Sequence, residues 1–324
     1  MVRILSDADV ADCLDVAELL PVVRSAFVSQ GRGEVERPER PHFPVGTGLA
    51  DDEPLGTGLV MPAYVHGADH YVTKLASVHE GNAERGLPTV NAQIAVTDAE
   101  TGQPTALLAG NRITNARTGS IGGLAVAELA TAPVTLGVLG AGTQARWQTR
   151  CVDAATDLDA VRVYSPSDSK YACADDLDAE LDVTVEAVET PADAVTKATA
   201  VVTATTSTEP VFDGTDLADG TVVVAVGAYT AEMRELDAAT FERAARVFGD
   251  VPEEAAEVGG VRAAGLAADD LVPLSEAFEG RAGRETADEI LVVESVGSAV
   301  LDAAASEHVL QRAVESDVGT TVPL

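Results

Sequence analysis

The sequence predicts an α/β protein in which a doubly wound parallel sheet follows an α+β first third. Three observations carry that prediction. From Val134 onward, short β-branched runs alternate with helical or loop segments. A glycine turn, Gly140-Ala141-Gly142, stands directly between one such run and a helix. Before residue 115, by contrast, proline and glycine break the chain into short pieces. At 324 residues the chain exceeds the roughly 100–200 of one ordinary domain, so two compact domains are expected.

The first element is a helix over Asp15–Gln30, because Leu19, Leu20, Val23, Ala26 and Phe27 recur at helical spacing. Asp15 is its expected N-cap, and Glu18 three residues on would complete a capping box. The stretch RPERPHFPVGTGLADDEPLGTG (37–58) forbids long helices and suits short strands and loops. Residues 93–97 and 105–108 then flank Asp98–Pro104, which holds Thr101-Gly102, as a hairpin requires. A long helix over Asn115–Ala130, with Thr114 as N-cap, joins the two regions. Beyond it VTLGVLG, AVRVYS, VTVEAV, AVVTATT, TVVVAVGA and RVFGDV read as strands, with helices such as Gln144–Ala155 and Ala192–Ala198 between them. EILVVESVG is one more strand, and Ser298–Val314 a closing helix.

Composition excludes several classes of function. Hydrophobic residues at 46% and a mean hydropathy of +0.11 supply real cores and exclude global disorder. The formal charge of −32 repels phosphate backbones and anionic lipid, so neither a nucleic-acid nor a membrane partner is expected. Lysine occurs only as Lys74, Lys170 and Lys197. An acidic, lysine-poor surface resembles cytosolic proteins of extreme halophiles, where molar salt shrinks the Debye length to about 3 Å; stability should then need salt. Cys13, Cys151 and Cys173 are odd in number and form no C-x-x-C pair, so no disulfide framework or zinc knuckle is indicated. The N-terminal segment lacks a basic stretch followed by an apolar core, and a cytoplasmic location is expected.

The sharpest motif is Gly140-Ala-Gly142-Thr143-Gln144-Ala145, which follows the strand TLGVL and opens a helix, the context a dinucleotide site requires. Gly140 permits the tight turn, Gly142 lets backbone approach a pyrophosphate, and small Ala145 allows close packing of helix on strand. The free N–H groups at the helix start face the anion. Some 20 residues on, an acid would hold the ribose hydroxyls of NAD; Ser165 stands there instead. Ser165, Ser167 and Lys170 could donate to a 2′-phosphate, which favours NADP, with NAD still possible. Lys74 sits inside the apolar run HYVTKLASV, either as a desolvated ammonium that binds a carboxylate or polarises an imine, or as a snorkelling strand residue. Arg40 and Arg117 are surface cations or anion clamps, Arg117 lying just inside the start of the expected linking helix. His66 and His70 lack a third ligand, so no metal is expected.

On these motifs the chain resembles the ornithine cyclodeaminase and mu-crystallin family, which includes archaeal alanine dehydrogenases and ketimine reductases. The resemblance spans nearly the whole chain. It rests on Val60-Met-Pro-Ala-Tyr64, Thr73-Lys74-Leu75, Gly86-Leu-Pro-Thr89, Thr101-Gly102-x-Pro104, Ala116-Arg117-Thr118-Gly119, the Gly140–Ala145 turn, Ser207-x-Glu209-Pro210, Arg234-Glu-Leu-Asp237 and Ser295-Val296-Gly297. It implies a discontinuous substrate-binding and dimerisation domain, residues 1–116 with 299–324, around a Rossmann domain at 117–298. It also implies that Arg40 and Lys74 hold the substrate carboxylate, with Tyr229 and Val296 beside the substrate. Thr89, Arg117, Thr143, Gln144, Thr206, Val226, Gly227 and Ser295 would contact the cofactor. Cyclodeaminases carry a proton-moving aspartate after V-G-G, whereas this chain reads Val226-Gly227-Ala228-Tyr229; Glu232 is the nearby carboxylate that could substitute.

The expected activity is therefore NAD(P)-dependent hydride transfer at the α-carbon of a small amino or imino acid, in a homodimer. Lys74 would serve the nitrogen-bearing centre. Two alternatives stand beside it: ornithine cyclodeamination to proline and ammonia, and non-catalytic storage of NADPH or a small ligand.

Overall fold

A computed structural model describes residues 1–49 and 52–323; Ala50 and Asp51, in the proline and glycine-rich stretch, and Leu324 lie outside the described residues. The chain divides into two compact units, Met1–Arg117 with Ala299–Leu324, and Thr118–Ser298.

In the first unit, strands Gly56–Val65, His70–Val78, Val90–Asp98 and Pro104–Ala109 form an antiparallel meander. The hairpin joining its last two strands turns as the sequence predicts. Asp98 Oδ1 accepts from the N–H and hydroxyl of Thr101, both at 2.7 Å, and Gly102 takes φ +71°, which a side chain would resist. Strand Val2–Leu5 adds in parallel beside Pro104–Ala109, and Thr320–Val322 closes that edge. Alternation along His70–Val78 buries Val72 and Lys74 on one face while Tyr71 and Leu75 stay exposed on the other. Helices Val16–Gly31 and Ala299–Glu315 pack on each other, and both reach the strand Gly56–Val65.

Local chemistry sets these helices. Val16–Gly31 buries Leu19, Leu20, Val23, Ala26 and Phe27, the residues its spacing selects, and Asp15 caps it by accepting from Glu18 N at 3.0 Å. The capping box is only half built, because Glu18's carboxylate lies toward Arg312 at 3.5 Å. A short helix, Asp7–Cys13, precedes it with a complete Ser6–Asp9 capping box that the sequence pattern had not singled out.

The linking helix starts earlier than expected. It spans Gly110–Leu129, so Thr114 is an interior residue, and Arg117 lies in the third turn rather than at an anion-friendly start. Strand Pro104–Ala109 runs straight into this helix, and Asn111 fastens the junction. Its Oδ1 accepts from Ala92 N at 2.6 Å while its Nδ2 donates to Val90 O at 3.2 Å.

The second unit is built on one sheet whose strand pairs are all parallel. The order is Thr184–Ala187, Leu158–Tyr164, Val134–Leu139, Ala200–Thr203, Val222–Ala225, Ile290–Glu294, Ala244–Gly249 and Val272–Pro273. Ala200–Thr203, Val222–Ala225 and Ile290–Glu294 are buried at every residue, which explains why they read as continuous apolar runs. The strand order reverses between Val134–Leu139 and Ala200–Thr203. This is the switch point at which such sheets bind ligands, outside the carboxyl ends of the strands.

Candidate active site

In the first unit a buried charge cluster gathers around Asp302, on the closing helix. Lys74 Nζ donates to Asp302 Oδ2 at 2.5 Å, and Arg117 Nε donates to Asp302 Oδ1 at 2.8 Å. Register places Lys74 between Met61 and Ile94 on the neighbouring strands, so its stem runs among core side chains. Lys74 is only 1% exposed, which removes the snorkelling alternative. Burial lowers its ammonium to about 8 against the raising effect of Asp302, and the positive charges of Arg117 and Arg40 lower it further. Burial pushes Asp302 upward too, but the charges and hydrogen bonds of Arg117 and Lys74 outweigh it and hold this carboxyl below its ordinary range. Lys74 and Arg117 share the one carboxylate of Asp302, so this buried trio carries an excess positive charge when Lys74 is protonated. A small carboxylate is the complementary ligand.

In the second unit the glycine turn has the form an anion site needs. Gly140 sits at φ +120°, and a Cβ there would stand 2.5 Å from Ala204 O, so no other residue fits. A Cβ on Gly142 would meet nothing within 4 Å. Gly142 is also the N-cap of helix Thr143–Ala155, without a side-chain cap, so the first N–H groups of that helix stay available to a pyrophosphate. Ala145 is fully buried against the sheet. Arg146 braces the turn, donating to Ala141 O at 2.6 Å and to Asp176 at 2.7 Å.

At the end of strand Leu158–Tyr164 the hydroxyls of Ser165, Ser167 and Ser169 lie within 2.7–3.5 Å of one another. Lys170, proposed from sequence as a partner for a 2′-phosphate, is committed elsewhere. It donates to Val188 O at 2.9 Å and Glu189 Oε2 at 3.0 Å, which draws it back onto its own helix-strand unit.

Beyond the switch point, buried carboxylates brace the loops. Glu235 accepts from Thr205 N (2.7 Å), Thr205 Oγ1 (2.9 Å) and Gly227 N (2.8 Å). Asp250 accepts from Ser295 Oγ (2.6 Å), Gly297 N (2.8 Å) and Val296 N (3.1 Å). The residues singled out from sequence here thus cluster at strand ends: Val226 and Gly227, Ser295 and Val296, with Thr206 just past Ala200–Thr203.

A family model described as the ornithine cyclodeaminase/mu-crystallin family matches residues 2–317. The chain belongs to that family. A Delta(1)-pyrroline-2-carboxylate reductase of Bacillus cereus is 32% identical over 88% of this chain and 90% of its own length. The structure of Thermococcus litoralis Delta(1)-pyrroline-2-carboxylate reductase, in complex with NADH and L-proline, aligns with a TM-score of 0.92 at 29% identity, covering 99% of this chain and 100% of the other. An archaeal alanine dehydrogenase dimer with bound NAD aligns with a TM-score of 0.90 at 26% identity, covering 100% of this chain and 99% of the other.

Among the positions the cyclodeaminase/mu-crystallin resemblance singles out, several differ in setting. Thr89 is exposed in the turn before Val90–Asp98, its carbonyl accepting from His79 N at 2.8 Å. Arg40 lies in the open segment before strand His42–Val45, near enough for its charge to act on Lys74. Tyr229 is 41% exposed, and Glu232 lies in the same loop. It is Glu235, not Glu232, that engages these loops. Sequence reasoning missed Asp302, Glu235, Asp250 and Glu294. Asp302, Asp250 and Glu294 sit inside or beside apolar runs (SAVLDAAAS, VFGDV, EILVVESVG), a faint signal in a chain with 53 acids, whereas Glu235 lies in the charged stretch EMRELD and carries no such signal.

Proposed function

We propose that the protein is an NAD(P)-dependent reductase of a small cyclic imino acid, working reversibly as an amino acid dehydrogenase. The observation that carries this reading is the buried Lys74–Asp302–Arg117 cluster, with Arg40 nearby. Arg40 and the outer edge of the Arg117 guanidinium hold the substrate carboxylate, because planar donors match its two oxygens. This moves Arg117 from the cofactor set expected from sequence to the substrate set. Asp302 fixes both Lys74 and Arg117 by accepting from each, so neither must be ordered when substrate arrives. Lys74, charged below about pH 8, delivers a proton to the nitrogen-bearing centre in reduction and, when neutral, accepts one in oxidation.

The Gly140–Ala145 turn holds the pyrophosphate of the dinucleotide, whose nicotinamide supplies or takes up the hydride at Cα. The Ser165, Ser167 and Ser169 hydroxyls, with a serine rather than an acid at position 165 where the strand ends, favour NADP over NAD. Thr143, Gln144, Thr206, Val226, Gly227 and Ser295 complete the cofactor set, and Tyr229 and Val296 the substrate wall. Cyclodeamination of ornithine needs a further carboxylate to move protons beside a diamine. Asp302 is engaged by two cations and residue 229 is a phenol, so imine reduction is the reading these groups support better.

The first unit also presents Tyr71, Leu75 and Leu107 on an exposed sheet face, all uncharged in a strongly acidic chain. A second copy of this chain is the partner such a face suits, which makes the protein a homodimer.

The test is a turnover screen at molar salt, with Δ1-pyrroline-2-carboxylate, pyruvate plus ammonia, and ornithine, each with NADH or NADPH. Imine-dependent oxidation of the cofactor is expected, with NADPH preferred and little proline from ornithine. Robust ammonia release from ornithine with catalytic NAD would select cyclodeamination, and saturable NADPH binding without turnover on any imine would select a storage role.

A further inference from the structure

The second unit carries three buried carboxyl groups for which the cofactor reading has no use: Glu235, Asp250 and Glu294. They lie at the carboxyl ends of four adjacent strands, Ala200–Thr203, Val222–Ala225, Ile290–Glu294 and Ala244–Gly249. A doubly wound sheet that holds a dinucleotide divides it at the switch point: strands on the Leu158–Tyr164 side take the adenosine half, and those on the Ala200–Thr203 side take the other half. All three carboxyls therefore belong to the nicotinamide side.

The hydrogen bonds of Glu235 and Asp250 are directed largely at loop backbone. Glu235 joins Thr205, past the strand Ala200–Thr203, to Gly227, past the neighbouring strand. Asp250, itself past Ala244–Gly249, takes Ser295, Val296 and Gly297 past the adjacent strand Ile290–Glu294. Four neighbouring strand ends are thus tied in two pairs, each through one carboxyl side chain. The fit is close: a Cβ on Gly227 would stand 2.1 Å from Thr205 O. Between the pairs, Ser295 N donates to Ala225 O at 2.9 Å, so the edge is continuous. Carboxyl groups this deeply buried are costly unless hydrogen-bonded, burial pushes Glu235 upward against the Gly227 and Thr205 hydrogen bonds, and a simple apolar filler would have served packing alone. Glu294 feels both, and burial together with the Glu235 and Asp250 charges pushes its carboxyl well above the ordinary range, which keeps a third negative charge out of the cluster.

We propose that Glu235 and Asp250 are positioning residues for the nicotinamide half of the cofactor: each holds, from behind, the backbone N–H groups of loops that would otherwise lie loose where the ring binds. The inference rests on the dinucleotide reading above. Neither residue touches the cofactor in this role; each acts through the Thr205, Gly227 and Ser295–Gly297 backbone.

The experiment compares NADH with ADP-ribose, which keeps the adenosine and pyrophosphate and lacks nicotinamide; where wild type binds only the 2′-phosphorylated cofactor, NADPH and 2′-phospho-ADP-ribose take their places. Both are titrated calorimetrically into the full chain at molar salt, for wild type, Asp250→Asn and Glu235→Gln. Each amide keeps the shape but presents an NH2 to one of the backbone donors. NADH affinity should fall about tenfold or more while ADP-ribose affinity stays within about twofold. Equal losses for both ligands, or no loss for either, would overturn the proposal, because a merely structural role does not separate the two halves. Should an amide variant fail to fold, Thr205→Val deletes one donor to Glu235 and should shift the same ratio in the same direction, with Thr205→Ser restoring it; an unmoved ratio in Thr205→Val also overturns the proposal. A wild-type chain that binds neither NADH nor NADPH would sink the dinucleotide reading itself, and this inference with it. Binding of both the dinucleotide and its nicotinamide-free counterpart by wild type, with parallel losses in the variants, would sink this inference alone.

Discussion

Burial converts Lys74 from an ordinary amine into a group that titrates at about 8, and that change has a signed consequence. Reduction of an imine consumes the ammonium form, so kcat/KM for reduction should fall about tenfold per pH unit above about 8, while the oxidative direction gains as the neutral amine appears. Parallel profiles in the two directions would count against Lys74 as the proton carrier. Lys74→Ala should lower kcat/KM by about 10²-fold or more and leave dinucleotide affinity within about twofold. A variant retaining more than half of wild-type kcat/KM rejects the assignment. Glu294 gives a stability prediction of opposite chemistry. Its folded carboxyl stays protonated at pH values where the unfolded chain, titrating near 4.5, has ionised. Unfolding then releases a proton, so stability declines as pH rises past that value until the buried group itself ionises. Glu294→Gln removes this loss, and its stability relative to wild type in urea should rise as the pH climbs above about 4.5; a difference constant with pH would refute it. Lys74 was legible in the sequence because a retained lysine stands out among so few. Asp302 was not, because one carboxylate among 53 acids has no distinguishing composition until the fold buries it.

The elements of the second unit were legible almost throughout, since a parallel strand covered on both faces must be continuously apolar and its helices must alternate with it. The glycine turn shows the same consistency, and Gly140→Ala tests it. The added Cβ meets Ala204 O at 2.5 Å, and φ +120° is closed to alanine, so dinucleotide binding should be lost and the melting temperature lowered. Unchanged affinity would mean that the turn does not hold the pyrophosphate. At the end of the next strand, Ser165→Asp should shift preference from NADP toward NAD, because a carboxylate there repels the 2′-phosphate and accepts from ribose hydroxyls. The ratio of the two dissociation constants decides it, and an unchanged ratio places the ribose elsewhere. Element boundaries were less legible. The linking helix begins at Gly110, not Asn115, because Asn111 bonds to Val90 and Ala92, on a neighbouring strand that no local cap rule can see. The Asp15 box is half built for a similar reason: Glu18 finds Arg312 on a helix near the other end of the chain.

For the whole molecule the dominant quantity is the charge of −32 carried with three lysines. Lowering salt from molar to about 0.1 M lengthens the Debye length from about 3 Å to about 10 Å, so acids that ignored one another begin to repel. The melting temperature should fall and the proposed dimer should dissociate or loosen on that change; equal melting temperature and oligomer mass at both salt levels would refute salt dependence. Sequence alone determined the doubly wound sheet, the glycine turn between strand and helix, the family and the conspicuousness of Lys74, because these depend on local spacing and on residues whose rarity sets them apart. Tertiary structure decided which of the many acids are buried and where the cations point. Arg117 turned to Asp302, Lys170 to Glu189, and Glu235 rather than Glu232 engaged the loops. In each case the deciding partner lies on a different element of the same unit, or the deciding fact is burial. Both arise only when the chain folds, since desolvation and hydrogen-bond geometry are properties of surroundings that the order of residues does not contain.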